Sequence, residues 1–230
     1  VVKPIKKFLA FLYEKNYTSI DLRQSLPEFA AKKRPFHEGF SKEEVDNLLA
    51  QPDRTAAIGK RDYAIMMIVA QTGLRGCDVV RLKFENIDWR TREIRLIQRK
   101  TGKPIILPLE PESGNAVADY ILNGRPESDL PYLFLSHKGM HSSLKCNNGV
   151  LIVSRYMKKA GIVSNHRSVH ALRRTYGTRL LQSEVPIEMI RQLLGHSNMD
   201  SSKPYLSIDE QGLKKCALPL LSKHERGDEK

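Results

Sequence analysis

Hydrophobic residues recur along this chain with two different periods, and the changes between them mark its parts. From Val2 to Lys15, Ile5, Phe8, Leu9 and Leu12 fall at helical spacing with lysines on the opposite side, which predicts an amphipathic helix. Residues 16–40 lose that period and carry Pro27, the basic cluster Lys32-Lys33-Arg34, Pro35 and Gly39, the composition of a linker. Periodicity returns at Ser41-Lys-Glu-Glu, where a serine followed three residues later by Glu44 has the spacing of a capping box. A second domain is expected to open here, with helices over about 41–50 and 59–72, the latter ended by Gly73.

Between Asn86 and Leu109 the period drops to two. Glu93–Gln98 and Pro104–Leu109 read as strands around the turn Lys100-Thr-Gly-Lys. Beyond residue 111 the helical pattern resumes, with breaks near 124–143 and 161–167. The expected fold class is α+β: a helix and linker over residues 1–40, then a mainly helical domain over 41–230 that carries one small antiparallel sheet. No internal repeat or low-complexity block interrupts it.

Composition narrows the partners more than the fold. With 230 residues and 40% hydrophobic content the chain can bury a sizeable core, which excludes a disordered or fibrous protein. The longest apolar run, Tyr63–Ala70, falls far short of the roughly 18–20 residues of a spanning helix. The formal charge of +12 makes a polyanion the first partner to test, although charge alone does not separate DNA, RNA and an anionic membrane. Cys77, Cys146 and Cys216 are far apart in sequence and odd in number, so neither a zinc site nor a disulfide framework is expected and a reduced, intracellular setting is the plain reading. The first residue is Val, and the opening VVKPIKKFLAFLYEK lacks a small-residue cleavage site; an interior piece of a longer protein is expected rather than a signal peptide.

Three segments concentrate ionisable residues at sharp places in the predicted structure. In Thr72-Gly-Leu-Arg75-Gly-Cys-Asp78, Gly73 ends one helix and Arg75 starts the next, within reach of an anion at backbone N–H groups. Asp78, three residues on, lies on the same face and is placed to hold the guanidinium. The turn Gln98-Arg99-Lys100-Thr101-Gly102-Lys103 carries three cations that can lie along a phosphate backbone. Further on come His170 and Arg173, one helical turn apart, then Gly195-His196 and Tyr205. Each feature alone has a bland explanation: a surface Arg–Asp pair, a solvated turn, a structural His or Tyr. Together they form an ordered set that those explanations do not account for.

At this point the chain resembles the tyrosine recombinases, the phage-integrase family. The matching stretches are TGLRGCD, the strand pair with RKTGK ending in ILPL, HALRRTYGTRL, LLGHS, and Tyr205 nine residues after His196, in the family's order over residues 41–215. The resemblance implies a catalytic domain at 41–230 in which Arg75, Lys100, His170, Arg173, His196 and Tyr205 gather on one DNA phosphate. Residues 1–40 would then be the last helix of a core-binding domain plus the interdomain linker. Arg99, Lys103 and Arg174 are the expected further DNA contacts. Tyr205 is preceded by Pro204 and followed by Leu-Ser rather than the family's frequent Thr-His, which blurs the subgroup but leaves the assignment standing.

The residue types suit phosphodiester transfer with no metal or other cofactor, the phosphorane charge being met by side-chain cations. Arg75 and Arg173 can fork onto non-bridging oxygens, and His196 can donate a further hydrogen bond. Tyr205 is a weak nucleophile that needs a base or a strongly cationic pocket; His170 is the candidate base and Lys100 the candidate acid for the departing 5′ oxygen. By resemblance the product is a 3′-phosphotyrosine, so that strands are cut and rejoined without ATP, with double-stranded DNA as partner. A homotetramer on paired sites, tied by exchange of residues 209–221, and a cytoplasmic, nucleoid-associated location belong to the same expectation, with no membrane involved. The rival readings are a type IB topoisomerase and a non-catalytic DNA-binding regulator. The compact RKTGK hairpin and the short step from Gly-His to Tyr favour the recombinase.

Overall fold

The computed structural model describes residues 2–26, 39–139, 141–162 and 169–195, and the chain divides into two compact units, residues 1–36 and 37–230. The first unit contains helix α1 (Val2–Glu14), whose phenylalanines Phe8 and Phe11 are exposed. It also contains one 3₁₀ turn (Leu22–Ser25), capped by the Asp21 carboxylate accepting from the Arg23 N–H. That turn falls inside the stretch read as a linker, of which residues 27–38 lie outside the described residues.

The second unit runs α2 (Lys42–Ala50), α3 (Ala57–Thr72), α4 (Gly76–Val79), β1 (Ile87–Asp88), β2 (Glu93–Ile97), β3 (Pro104–Pro108), α5 (Pro111–Asn123), α6 (Asn148–Lys159), α7 (Val169–Gln182) and α8 (Ile187–Leu194). The α+β class holds. The expected capping box is present in both halves: Glu44 N–H donates to Ser41 Oγ at 3.1 Å and Ser41 N–H to Glu44 Oε2 at 2.9 Å. α3 is the central helix, with Ala64, Ile65, Met66, Ile68 and Val69 all fully buried and α2, α4, α5, α6 and α7 packed around it. An all-round apolar helix is what such a position requires.

β1, β2 and β3 form one antiparallel sheet in that order, with Ile94 opposite Leu107 on the buried face. Ile97 and Ile106 point the other way and are exposed. β1 has two residues, too few to show an alternation, and so only β2 and β3 were visible as strands in the sequence.

Two features of the packing bear on the site. Asp62 is wholly buried in α3, where Oδ1 accepts from Arg61 Nε and Nη2 at 2.9 and 2.7 Å, and Oδ2 from Tyr156 Oη at 3.1 Å and from Arg155. Arg61 Nη1 in turn donates to the Leu135 carbonyl at 2.9 Å, so the ionic cluster is tied into the core by several hydrogen bonds. The second feature is a correction to the cysteine expectation: Cys77 and Cys146 form a disulfide, with Cα atoms 4.2 Å apart across 69 residues of sequence. The cause is a close helix contact, since a Cβ added at Gly149 of α6 would lie 2.8 Å from the Gly76 carbonyl oxygen of α4. Cys216 lies outside the described residues.

Among the described residues, no helix is long and apolar enough to cross a membrane.

Candidate active site

α3 stops at Gly73 because the chain must turn sharply there. Gly73 has φ +62°, the left-handed cap conformation, and a Cβ at this point would lie 2.5 Å from Tyr176 and 2.9 Å from Leu194. Both conformation and space demand glycine. The turn delivers Arg75 to the N-cap of α4, and its guanidinium reaches two other elements. Nη1 donates to the Gln98 side-chain oxygen at 2.9 Å and Nη2 to the Gly195 carbonyl at 3.0 Å.

Arg173 arrives from α7 and is almost fully buried. Its Nη1 donates to the Gly73 carbonyl at 2.7 Å and its Nη2 to the Leu194 carbonyl. The two arginines therefore hold consecutive carbonyls, Leu194 and Gly195, at the C-terminal end of α8. That end carries the negative pole of the helix dipole, which offsets part of their mutual repulsion. α8 itself is fixed to α7 by Ile190 and Leu194 packing against Tyr176, Leu180 and Leu181.

The hairpin forms the other wall. Gln98 N–H donates to the Lys103 carbonyl at 2.9 Å and the Gly102 N–H to the Gln98 carbonyl at 2.8 Å, closing a tight loop over residues 99–102. Arg99, Lys100 and Lys103 are exposed on it. Asp78 is buried and accepts the Arg99 backbone N–H at 3.2 Å rather than an Arg75 hydrogen bond. The expected Arg75–Asp78 pairing is thus corrected: α4 is a single turn, and Asp78 faces the hairpin backbone, helping Arg75 only through its charge. Burial draws the Arg75 pKa down and Asp78 opposes that, leaving a side chain that is charged at neutral pH.

His170 sits in the first turn of α7. Its pKa lies below the usual value because of desolvation by neighbouring protein and then the charges of Arg173, Arg174, Arg75 and Lys100. Four of the six residues expected at the centre, Arg75, Lys100, His170 and Arg173, thus share one electrostatic neighbourhood, with Arg174 beside them. A neutral imidazole among cations can accept a proton and cannot easily keep one. His196 follows Gly195 directly in the chain, but it and Tyr205 lie outside the described residues, as does the segment 209–221.

Two other tyrosines near this helix pair are tied into the fold. Tyr156 donates to Asp62, and burial together with that carboxylate pushes its pKa up to about 12. Tyr176 packs under Gly73, and burial raises its pKa as well. A phenol that resists ionisation makes a poor nucleophile.

Gln98 is the residue the sequence reading passed over. It follows Ile94 and Leu96 at spacing two, so it lies on the inward face of its strand, where an amide needs partners. That alternation was the available signal.

Residues 38–211 match the phage integrase family. The integrase/recombinase y4gC of Sinorhizobium fredii (strain NBRC 101917 / NGR234) is 36% identical over 172 residues, which is 74% of this chain and 88% of that protein. The tyrosine recombinase XerD of Vibrio vulnificus (strain YJ016) is 30% identical over 178 residues, 76% of this chain and 57% of XerD. Among solved structures, the fold resembles the XerH site-specific recombinase bound to palindromic difH substrate in a post-cleavage complex, with a TM-score of 0.65 at 21% identity over 79% of this chain and 52% of XerH. The chain thus spans a little over half the length of XerD and XerH.

Proposed function

This chain belongs to the phage integrase family, and from that premise we propose that it is the catalytic part of a tyrosine-type site-specific recombinase, which cuts and rejoins double-stranded DNA through a 3′-phosphotyrosine. The observation that carries this reading is the pair Arg75–Arg173, held on the carbonyls of Gly195 and Leu194 immediately before His196. An amide and backbone carbonyls hold both guanidiniums at the end of α8, and an in-line phosphoryl transfer needs positive charge on its non-bridging oxygens.

In the proposed step Tyr205 Oη forms a bond to the scissile phosphorus as the bond from phosphorus to the 5′ oxygen breaks. His170, which its lowered pKa keeps neutral, takes the phenol proton. Lys100 gives a proton to the departing 5′ oxygen. Arg75, Arg173 and His196 offset the charge of the phosphorane, and Arg99, Lys103 and Arg174 contact the flanking backbone. Resealing is the reverse, with a second 5′-hydroxyl as nucleophile, so the ester bond is conserved without ATP. Each site cuts one strand; a homotetramer on paired sites, linked by exchange of residues 209–221, is the assembly that follows, acting on nucleoid DNA.

A nicked suicide substrate tests the reading. The wild-type protein is expected to form an adduct that survives denaturation, and Tyr205→Phe none. Trapping by the phenylalanine variant would remove Tyr205 as nucleophile. Relaxation of supercoiled DNA without exchange between paired sites would favour a type IB topoisomerase instead.

A further inference from the structure

Gln98 is 1% exposed and joins three parts of the site through one amide. Its Oε1 accepts from Arg75 Nη1 at 2.9 Å and from Thr101 Oγ1 at 3.0 Å. An arginine is a donor only, so the amide oxygen and not its nitrogen must face Arg75. Thr101 follows Lys100 in the loop, and the Gln98 backbone closes that loop on both sides. The end of α8 lies against the same amide: a Cβ at Gly195 would fall 1.9 Å from Gln98 Oε1. Arg75 is thereby held between Gln98 Oε1 and the Gly195 carbonyl. The Gln98 Nε2 is buried without a partner among the described residues, an unusual state for an amide.

The chemistry of the acceptor matters as well as its place. A carboxylate there would hold Arg75 with equal geometry but would neutralise it. An amide fixes the guanidinium and leaves its charge intact. A single oxygen that bonds both Arg75 and the loop residue beside Lys100 also fixes the spacing between a phosphate-binding cation and the proton donor, which a surface turn of exposed lysines would otherwise let vary.

We propose that Gln98 is a positioning residue that couples the Lys100 hairpin to Arg75 during strand cleavage. The proposal rests on the recombinase reading above. It does not make Gln98 a group that touches the phosphate; it acts through Arg75 and Lys100.

The test is single-turnover cleavage of a suicide substrate in two forms, one with the ordinary 5′ oxygen and one with sulfur at that bridging position. A thiolate leaves without protonation, so the sulfur substrate hides any fault in the acid and keeps any fault in the arginine. Gln98→Met, similar in volume but without the acceptor, is expected to slow the oxygen substrate roughly 10- to 100-fold, the scale of a small misplacement. On the sulfur substrate the defect should shrink at least threefold yet stay measurable, because Arg75 has also lost a tether. Thr101→Val, in a loop whose change leaves the core alone, removes only the hairpin branch; its smaller defect should vanish with sulfur. Gln98→Met cleaving within twofold of wild type, or losing equally on both substrates, overturns the coupling. Thr101→Val losing nothing on the oxygen substrate, or keeping its loss on sulfur, overturns it too, even if Gln98→Met fails to fold. A wild-type protein that forms no adduct on either substrate overturns the recombinase reading and this proposal with it, whereas a wild type that cleaves leaves that reading standing whatever the variants do.

Discussion

Among the described residues, two places gather arginines that are wholly or partly buried or packed on a buried group, and they hold them in opposite ways. Around Asp62, Arg61 and Arg155 meet a carboxylate, Tyr156 adds a hydrogen bond, and the charge is spent inside the fold. Around the candidate site, Arg75 meets an amide oxygen and a carbonyl, and Arg173 holds carbonyls of Gly73 and Leu194. The first cluster is a structural joint between α3, α6 and the loop at Leu135. In the second, the hydrogen bonds go to an amide oxygen and to backbone carbonyls instead.

The largest effect expected from this contrast is on stability at the Asp62 cluster. Asp62→Ala leaves Arg61 buried without its counter-charge, and breaking a buried pair from one side costs about 3–5 kcal/mol. Urea denaturation of the variant against wild type measures it. A loss under about 1 kcal/mol would mean that Arg61 finds water or another acceptor and that the cluster is not a structural joint.

Arg75→Ala is expected to invert the pattern. Folding should weaken by about 1–3 kcal/mol, since the hydrogen bonds lost go to neutral acceptors while buried Asp78 loses a nearby positive charge. Cleavage should fall about 10²–10³-fold, or about 2.7–4 kcal/mol of transition-state stabilisation, by analogy with losing one oxyanion donor. Denaturation and single-turnover cleavage on the same preparation give both numbers. A stability loss as large as that of Asp62→Ala, with a proportionate loss of activity, would erase the distinction between the two places.

The same physics decides what could be read from the sequence alone. Local signals held up: Ser41 and Glu44 announced a capping box, Gly73 announced the end of α3, and the period of two announced β2 and β3. Signals that depend on packing did not. Cys77 and Cys146 meet only because Gly76 and Gly149 let α4 and α6 approach, and nothing in the spacing of the cysteines reveals that. Asp78 was assigned by helical spacing to Arg75, but a helix of one turn leaves its carboxylate facing the hairpin. The candidate site lay between these cases. Its residues Arg75, Lys100, His170 and Arg173 were named by motif, whereas the part played by Gln98, the acceptor that holds Arg75, becomes visible only when hairpin, α4 and α8 are together.

The smallest expected effect sharpens the comparison through pH. At the Asp62 cluster opposite charges meet, whereas His170 faces Arg173, Arg174, Arg75 and Lys100, and desolvation followed by those charges lowers its pKa. In the unfolded chain the imidazole titrates near 6.5. As pH falls below that value the unfolded chain takes up a proton that the folded protein still refuses. Folding stability contributed by the neutral imidazole is therefore present above about pH 6.5, declines as pH falls, and levels off below the depressed folded value. His170→Gln cannot titrate, so its denaturation midpoint should decline less between pH 8 and pH 5 than that of wild type. Binding a short duplex should lessen the wild-type decline, because phosphate charge among the cations raises the His170 pKa back toward normal. Parallel curves for wild type and His170→Gln, with or without duplex, would show that neither desolvation nor the surrounding cations hold the His170 pKa down, and the contrast between the two places would fail at that residue.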